Sequence, residues 1–191
     1  MCKIVYLTAR RFDSASTYFC NLLKNELQKR NIDVVFGNSN DMLNVFRKHK
    51  VYGIALAFDF YKDHQSGSGL TLNKRCSSIG RQFAYSLSNG IDSIYPDIIW
   101  RDITFVDSDD KLWFKYFNKV SATTKAIFHL CTKNNEYEYE TFITFEEKLV
   151  RVFADEIVRC LRSGYDTANY MQRVQFAKYK QQRERLKNGK Q

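Results

Sequence analysis

The chain has 191 residues, 44% hydrophobic and 15% aromatic, with a formal net charge of +9 and an isoelectric point of about 9.3. That suits one globular domain with a full core and excludes a largely disordered chain. No run approaches the ~18 apolar residues that span a bilayer, and the five cysteines form no CxxC pair, so a reducing, cytoplasmic setting is expected rather than a disulfide framework or a zinc knuckle.

The opening MCKIVYLTARR has neither the apolar stretch nor the cleavage site of a secretion signal. Lys3 to Thr8 is a short run of β-formers and predicts a buried strand. Asp13 or Ser14 then caps a helix with Phe19, Leu22, Leu23 and Leu27 on one face, and Asn31 ends it in the left-handed region. Ile32 to Phe36 is a second strand, which completes a β-α-β unit and so runs parallel to the first. A shorter helix is predicted from Ser39 to His49 and a third strand from Tyr52 to Phe58.

The segment from Tyr61 to Gly69 is polar and glycine-rich and reads as a loop. Leu70 to Leu72 is a short edge strand, and Asn73 starts a helix carrying Ile79, Phe83 and Leu87 that stops at Asn89-Gly90. The stretch from Ile91 to Asp110 holds the only proline, Pro96, and mixes strand-like pieces with acidic turns, and a short aromatic helix follows from Trp113 to Phe117. Lys125 to Cys131 is another buried strand. A long helix runs from Thr144 to Ser163, with Thr144 and Glu147 as a capping box and Phe145, Leu149, Phe153, Ile157 and Leu161 every four residues. The pattern predicts an α/β fold: a mostly parallel sheet of five to six strands, helices on both faces, and a basic C-terminal helix.

Residues 1–164 form the domain in this reading, and 165–191 a basic helical tail. From Gly164 onward seven Lys or Arg stand against Asp166 and Glu184, a net +5 of the chain's +9. Arg173, Lys178, Lys180, Arg183, Arg185 and Lys187, interleaved with Tyr170, Phe176 and Tyr179, are the candidates for contact with a nucleic-acid backbone.

Intact catalytic motifs are missing. Gly67 and Gly69 give a lone GSG without the spacing of a dinucleotide loop, and no serine sits in a nucleophile elbow. His129 and Cys131 are two apart on the predicted strand, so their side chains point the same way and a Cys–His pair is conceivable, but an unactivated cysteine there reads first as core. His49, His64 and His129 lie in no metal-ligating spacing.

The order of these elements resembles the zinc-dependent N-acetylmuramoyl-L-alanine amidases. The resemblance spans about residues 1–165 and is carried by KIVYLTAR (Lys3 to Arg10), NELQKRNIDVVFGN (Asn25 to Asn38), YGIALAFDF (Tyr52 to Phe60), KAIFHL (Lys125 to Leu130) and the last long helix. It implies the amidase architecture. It also places Arg10 and Asp59 at the family's two zinc-histidine positions, Asp13 near its glutamate ligand, and His129 at its catalytic glutamate. An arginine in place of a histidine ligand disfavours zinc, so no cofactor is expected. Asp13, Asp59 and His129 remain as candidates for a different metal site.

These substitutions lead to the expectation of a protein that is not an enzyme. Size, basicity and richness in Asn, Lys and Tyr are similar to the kind of staphylococcal lytic-phage protein that binds domain 4 of the host primary sigma factor. What this implies is a host-takeover protein in the bacterial cytoplasm that inhibits or redirects transcription beside promoter DNA, with no membrane contact. The alternatives are a divergent metal-dependent cell-wall amidase and a plain nucleic-acid-binding protein.

Overall fold

The computed structural model describes residues 3–9, 13–37, 52–61, 67–94, 103–106, 122 and 124–163. In chain order these hold β1 (Lys3–Ala9), α1 (Ser14–Lys29), β2 (Asp33–Phe36), β3 (Tyr52–Tyr61), β4 (Gly69–Asn73), α2 (Ser78–Asp92), β5 (Thr104–Val106), β6 (Thr124–Thr132) and α3 (Glu136–Ser163). The strands form one sheet in the order β2-β1-β3-β6-β4-β5, parallel throughout except that β4 runs against β6. The fold is the mostly parallel α/β architecture that the alternating elements predict.

Strands β1, β3 and β6 have buried residues on both faces, which explains why they read as continuous apolar runs. The Asp13 carboxylate accepts from the N–H groups of Ala15 and Ser16 and starts α1; Asn31, at φ 59°, ends the turn after it. From that point the chain enters β2, parallel to β1 as the β-α-β reading requires.

The larger core lies on one sheet face. Phe19, Leu23 and Leu27 of α1, Phe83 and Leu87 of α2, and Phe142, Phe153 and Ile157 of α3 meet Leu7, Leu56, Phe58, Leu72 and Phe128 of the strands. All three described helices pack on this face. The helical stretches expected at 39–49 and 113–117, and the basic tail, lie outside the described residues. The opposite face carries a smaller cluster of Tyr6, Ala55, Ala57, Ala122 and Ile127.

Three boundaries differ from expectation. First, β4 is no edge strand, because β5 extends the sheet beyond it. Second, Asn73 does not start a helix: its side chain accepts from the Arg75 N–H in a tight turn, and Ser77 caps α2 instead. That helix also runs through Gly90 to Asp92. Third, α3 begins at Glu136 rather than Thr144, because Asn135 and Glu138 make the cap there. Thr144 is helix interior, its hydroxyl donating to the Glu140 carbonyl.

Candidate functional site

The smaller face becomes polar toward the C-terminal ends of β3 and β6. In the parallel ladder Asp59 pairs with His129, so both side chains leave the sheet on the same side. The ladder becomes irregular just beyond, between Asp59 and Tyr61, and Tyr61 pairs with Thr132. Across the antiparallel seam Gly69 stands opposite His129 and Thr71 opposite Ile127. Because Gly69 has no side chain, the imidazole has room to lean across β4 toward Thr71, its diagonal neighbour.

The imidazole of His129 thus has a partner on each nitrogen. Nδ1 lies against Asp59 Oδ1, a contact without the alignment of a regular hydrogen bond. Nε2 lies 3.2 Å from the Thr71 hydroxyl. In the tautomer with its proton on Nδ1, the one the nearby carboxylate favours, Nε2 accepts and the Thr71 hydroxyl is the donor. Tyr61 stacks on the ring, centroids 4.3 Å apart and planes 20° from parallel. Asp59, Thr71 and His129 are buried, at 7%, 2% and 4% exposure, whereas Tyr61 is half-buried.

A second polar knot sits beside the first. The buried Glu138 carboxylate accepts from the Gly67 N–H (2.8 Å), the Thr132 N–H (3.0 Å) and the Asn135 side-chain amide (3.2 Å). It fastens the approach to β4, the end of β6 and the start of α3 to one another.

Cys131 has no part in the site. The irregularity in the β3–β6 ladder turns it into the larger core, and its thiol is pushed up to about 12, chiefly by burial, with Glu138 and Asp13 adding. Its place in the larger core, away from the face that carries His129, leaves no Cys–His pair between them. Asp13 is also separate, held by its cap to α1, by the Ser16 hydroxyl and by Lys133 at 3.2 Å. Arg10 and the tail candidates Arg173, Lys178, Lys180, Arg183, Arg185 and Lys187 lie outside the described residues.

The donor set does not fit a zinc ion. Asp59 and His129 engage each other, Asp13 is committed to a helix end and a lysine, and among the described residues no three His, Cys, Asp or Glu side chains converge to hold a metal. Of the three weak metal candidates, two meet as an acid–base pair and the third stands apart.

Sequence reasoning singled out Asp59 and His129 but missed Thr71 and Tyr61. Thr71 reaches His129 only through the antiparallel pairing of β4 with β6, for which no local pattern gives a sign.

No protein-family model matches the chain, and no curated protein matches it. Solved structures do. An N-acetylmuramoyl-L-alanine amidase from Clostridium difficile 630 superposes with a TM-score of 0.64 at 10% identity, covering 86% of this chain and 99% of that one. The amidase AmiC2 of Nostoc punctiforme gives 0.64 at 8% identity, with 83% and 97% covered. A structure titled as the putative amidase of the same kind from Neisseria meningitidis gives 0.55 at 14% identity, with 82% and 94% covered. The chain therefore has the amidase fold over most of its length.

These similarities correct the expectation of a chain that is not an enzyme: the structures that share its fold carry the names of enzymes. What the described residues hold in place of a convergent metal-ligand set is a carboxylate, an imidazole and a hydroxyl side by side, from Asp59, His129 and Thr71.

Proposed function

We propose that the protein is a divergent hydrolase acting on amide bonds of cell-wall peptides, with an imidazole base where its structural relatives are expected to use zinc. One observation carries this reading: His129 is held between Asp59 and Thr71 at the C-terminal ends of parallel strands, the edge at which open α/β sheets place their ligands. The amidase fold supports the choice of an amide substrate.

In this mechanism Nε2 of His129 takes a proton as an oxygen attacks the substrate carbonyl, and returns it to the leaving amine. Asp59 keeps the imidazole oriented and offsets the charge it gains. Tyr61 covers one face of the ring and limits access of bulk water to it.

The test is release of soluble peptide from purified peptidoglycan. His129→Ala should lower turnover about 10²–10⁴-fold, the usual contribution of a general base, and Asp59→Asn should lower it less, with circular dichroism confirming that both variants fold. A wild-type protein that releases nothing rejects the cell-wall substrate.

The charge of 164–191, +5 of the total +9, supports a second reading in which the chain also docks on a bacterial RNA polymerase sigma factor beside the DNA backbone. Co-purification of polymerase with the full chain, lost on deleting 164–191, is the expected result; no polymerase in the eluate rejects it.

A further inference from the structure

We propose that Thr71 is the nucleophile of this site, so that hydrolysis passes through an ester on its side chain. The proposal rests on the hydrolase reading above but concerns which oxygen attacks.

The geometry points to Thr71 rather than to water. Its hydroxyl already occupies the accepting nitrogen, at 3.2 Å from Nε2, within the looser range found for nucleophile and base before substrate binds. It is fixed there by β4, which is paired on both sides, with β6 and with β5. A branched side chain in a strand has few rotamers, so the oxygen is held where it is. The Asp59 carboxylate stands against Nδ1, where a third group can orient the base as an activated hydroxyl requires. A water would have to displace this buried hydroxyl to reach Nε2.

The chemistry closes without any further reagent than water. The Thr71 proton passes to Nε2 as the Thr71 oxygen bonds to the amide carbon and the carbonyl electron pair moves onto its oxygen. When that pair returns, the C–N bond breaks and the nitrogen takes the proton from Nε2, leaving an amine and an ester on Thr71. Water then gives a proton to Nε2 and attacks the ester carbon. The C–O bond to Thr71 breaks, the proton returns to the threonine, and a carboxylic acid leaves. The class of substrate is an amide, or an activated ester.

The experiment uses the full chain, a fluorophosphonate probe and p-nitrophenyl acetate, read by intact mass, peptide mapping and pre-steady-state absorbance. The expected result is one adduct on the peptide containing Thr71 and a burst of nitrophenol. Thr71→Val and His129→Ala should lose both, while Thr71→Ser keeps them. Mapping on the unsubstituted protein stands even if a variant fails to fold.

No adduct in the wild type, or an adduct elsewhere, overturns the proposal. So does a folded Thr71→Val protein that still cleaves peptidoglycan, a result that would leave His129 as a base for water. An adduct on Thr71 with no peptidoglycan cleavage upholds the nucleophile and rejects only the cell-wall substrate.

Discussion

Two carboxylates outside the site have opposite pH signatures. On α3, Glu146 is buried, its Oε1 has no hydrogen-bond partner among the described residues, and burial, with Glu147 adding, pushes its pKa from 4.5 up to about 6. The folded state therefore holds this proton more tightly than the unfolded chain, and stability falls as pH rises through that window. Glu146→Gln should stabilise the protein at pH 7 by up to about 2 kcal/mol, and the gain should vanish near pH 4, where the carboxyl is protonated in both states. Urea unfolding at the two pH values measures the difference. For Asp13 burial also pushes the pKa up, but the Ser16 hydroxyl, Lys133 and the Ala15 and Ser16 amides outweigh it and the net shift is downward. Its stabilisation is present above the ordinary carboxylate value and lost as pH falls through the lowered one. Asp13→Ala should cost about 1 kcal/mol at neutral pH, as the loss of a helix cap does, and the deficit should shrink in acid melts.

Helix boundaries were legible where one residue decides them and obscure where tertiary contact does. Asp13 and Asn31 mark both ends of α1 in the sequence itself. Asn89-Gly90 looks like a stop signal, yet α2 continues through it because the glycine serves packing there. A Cβ at Gly90 would lie 2.7 Å from Cγ1 of Val152 on α3, so the missing side chain is what lets the two helices approach. Gly90→Ala gains helix propensity of about 1 kcal/mol but meets a stiff, branched neighbour. The expected outcome is a net loss of about 1–2 kcal/mol, relieved when Val152→Ala is added; a double-mutant cycle in thermal melts reads it. The core of α3 was legible too, since Phe153 follows the four-residue spacing. Its ring meets Phe19 of α1, Phe58 of β3 and Phe128 of β6, so Phe153→Ala should cost about 3–5 kcal/mol.

At the scale of the whole molecule, the alternation of elements made the α/β class and the parallel β1–β2 pair readable, because handedness and connection length leave few choices. The reversal of β4 was not readable: Leu70 to Leu72 is buried on both faces like any inner strand, and strand direction leaves no mark on composition. That reversal is what brings Thr71 to His129, so half of the site was hidden along with it. Asp59 and His129 were identifiable as positions, through likeness to the amidases, but as substitutions and not as partners.

The β3–β6 seam at the middle of the sheet also governs when the protein becomes whole. Ile54 pairs with Thr124, about seventy residues later in the chain, so this seam closes only after residues 124–132 have left the ribosome. A nascent chain can complete the local β1-α1-β2 unit early, but it must hold the exposed flank of β3 in waiting, a sticky edge open to aggregation or to a chaperone. Non-local closure of this kind is slow, and Asp59 meets His129 only with it. In refolding from denaturant, the helical signal should therefore recover ahead of fluorophosphonate labelling.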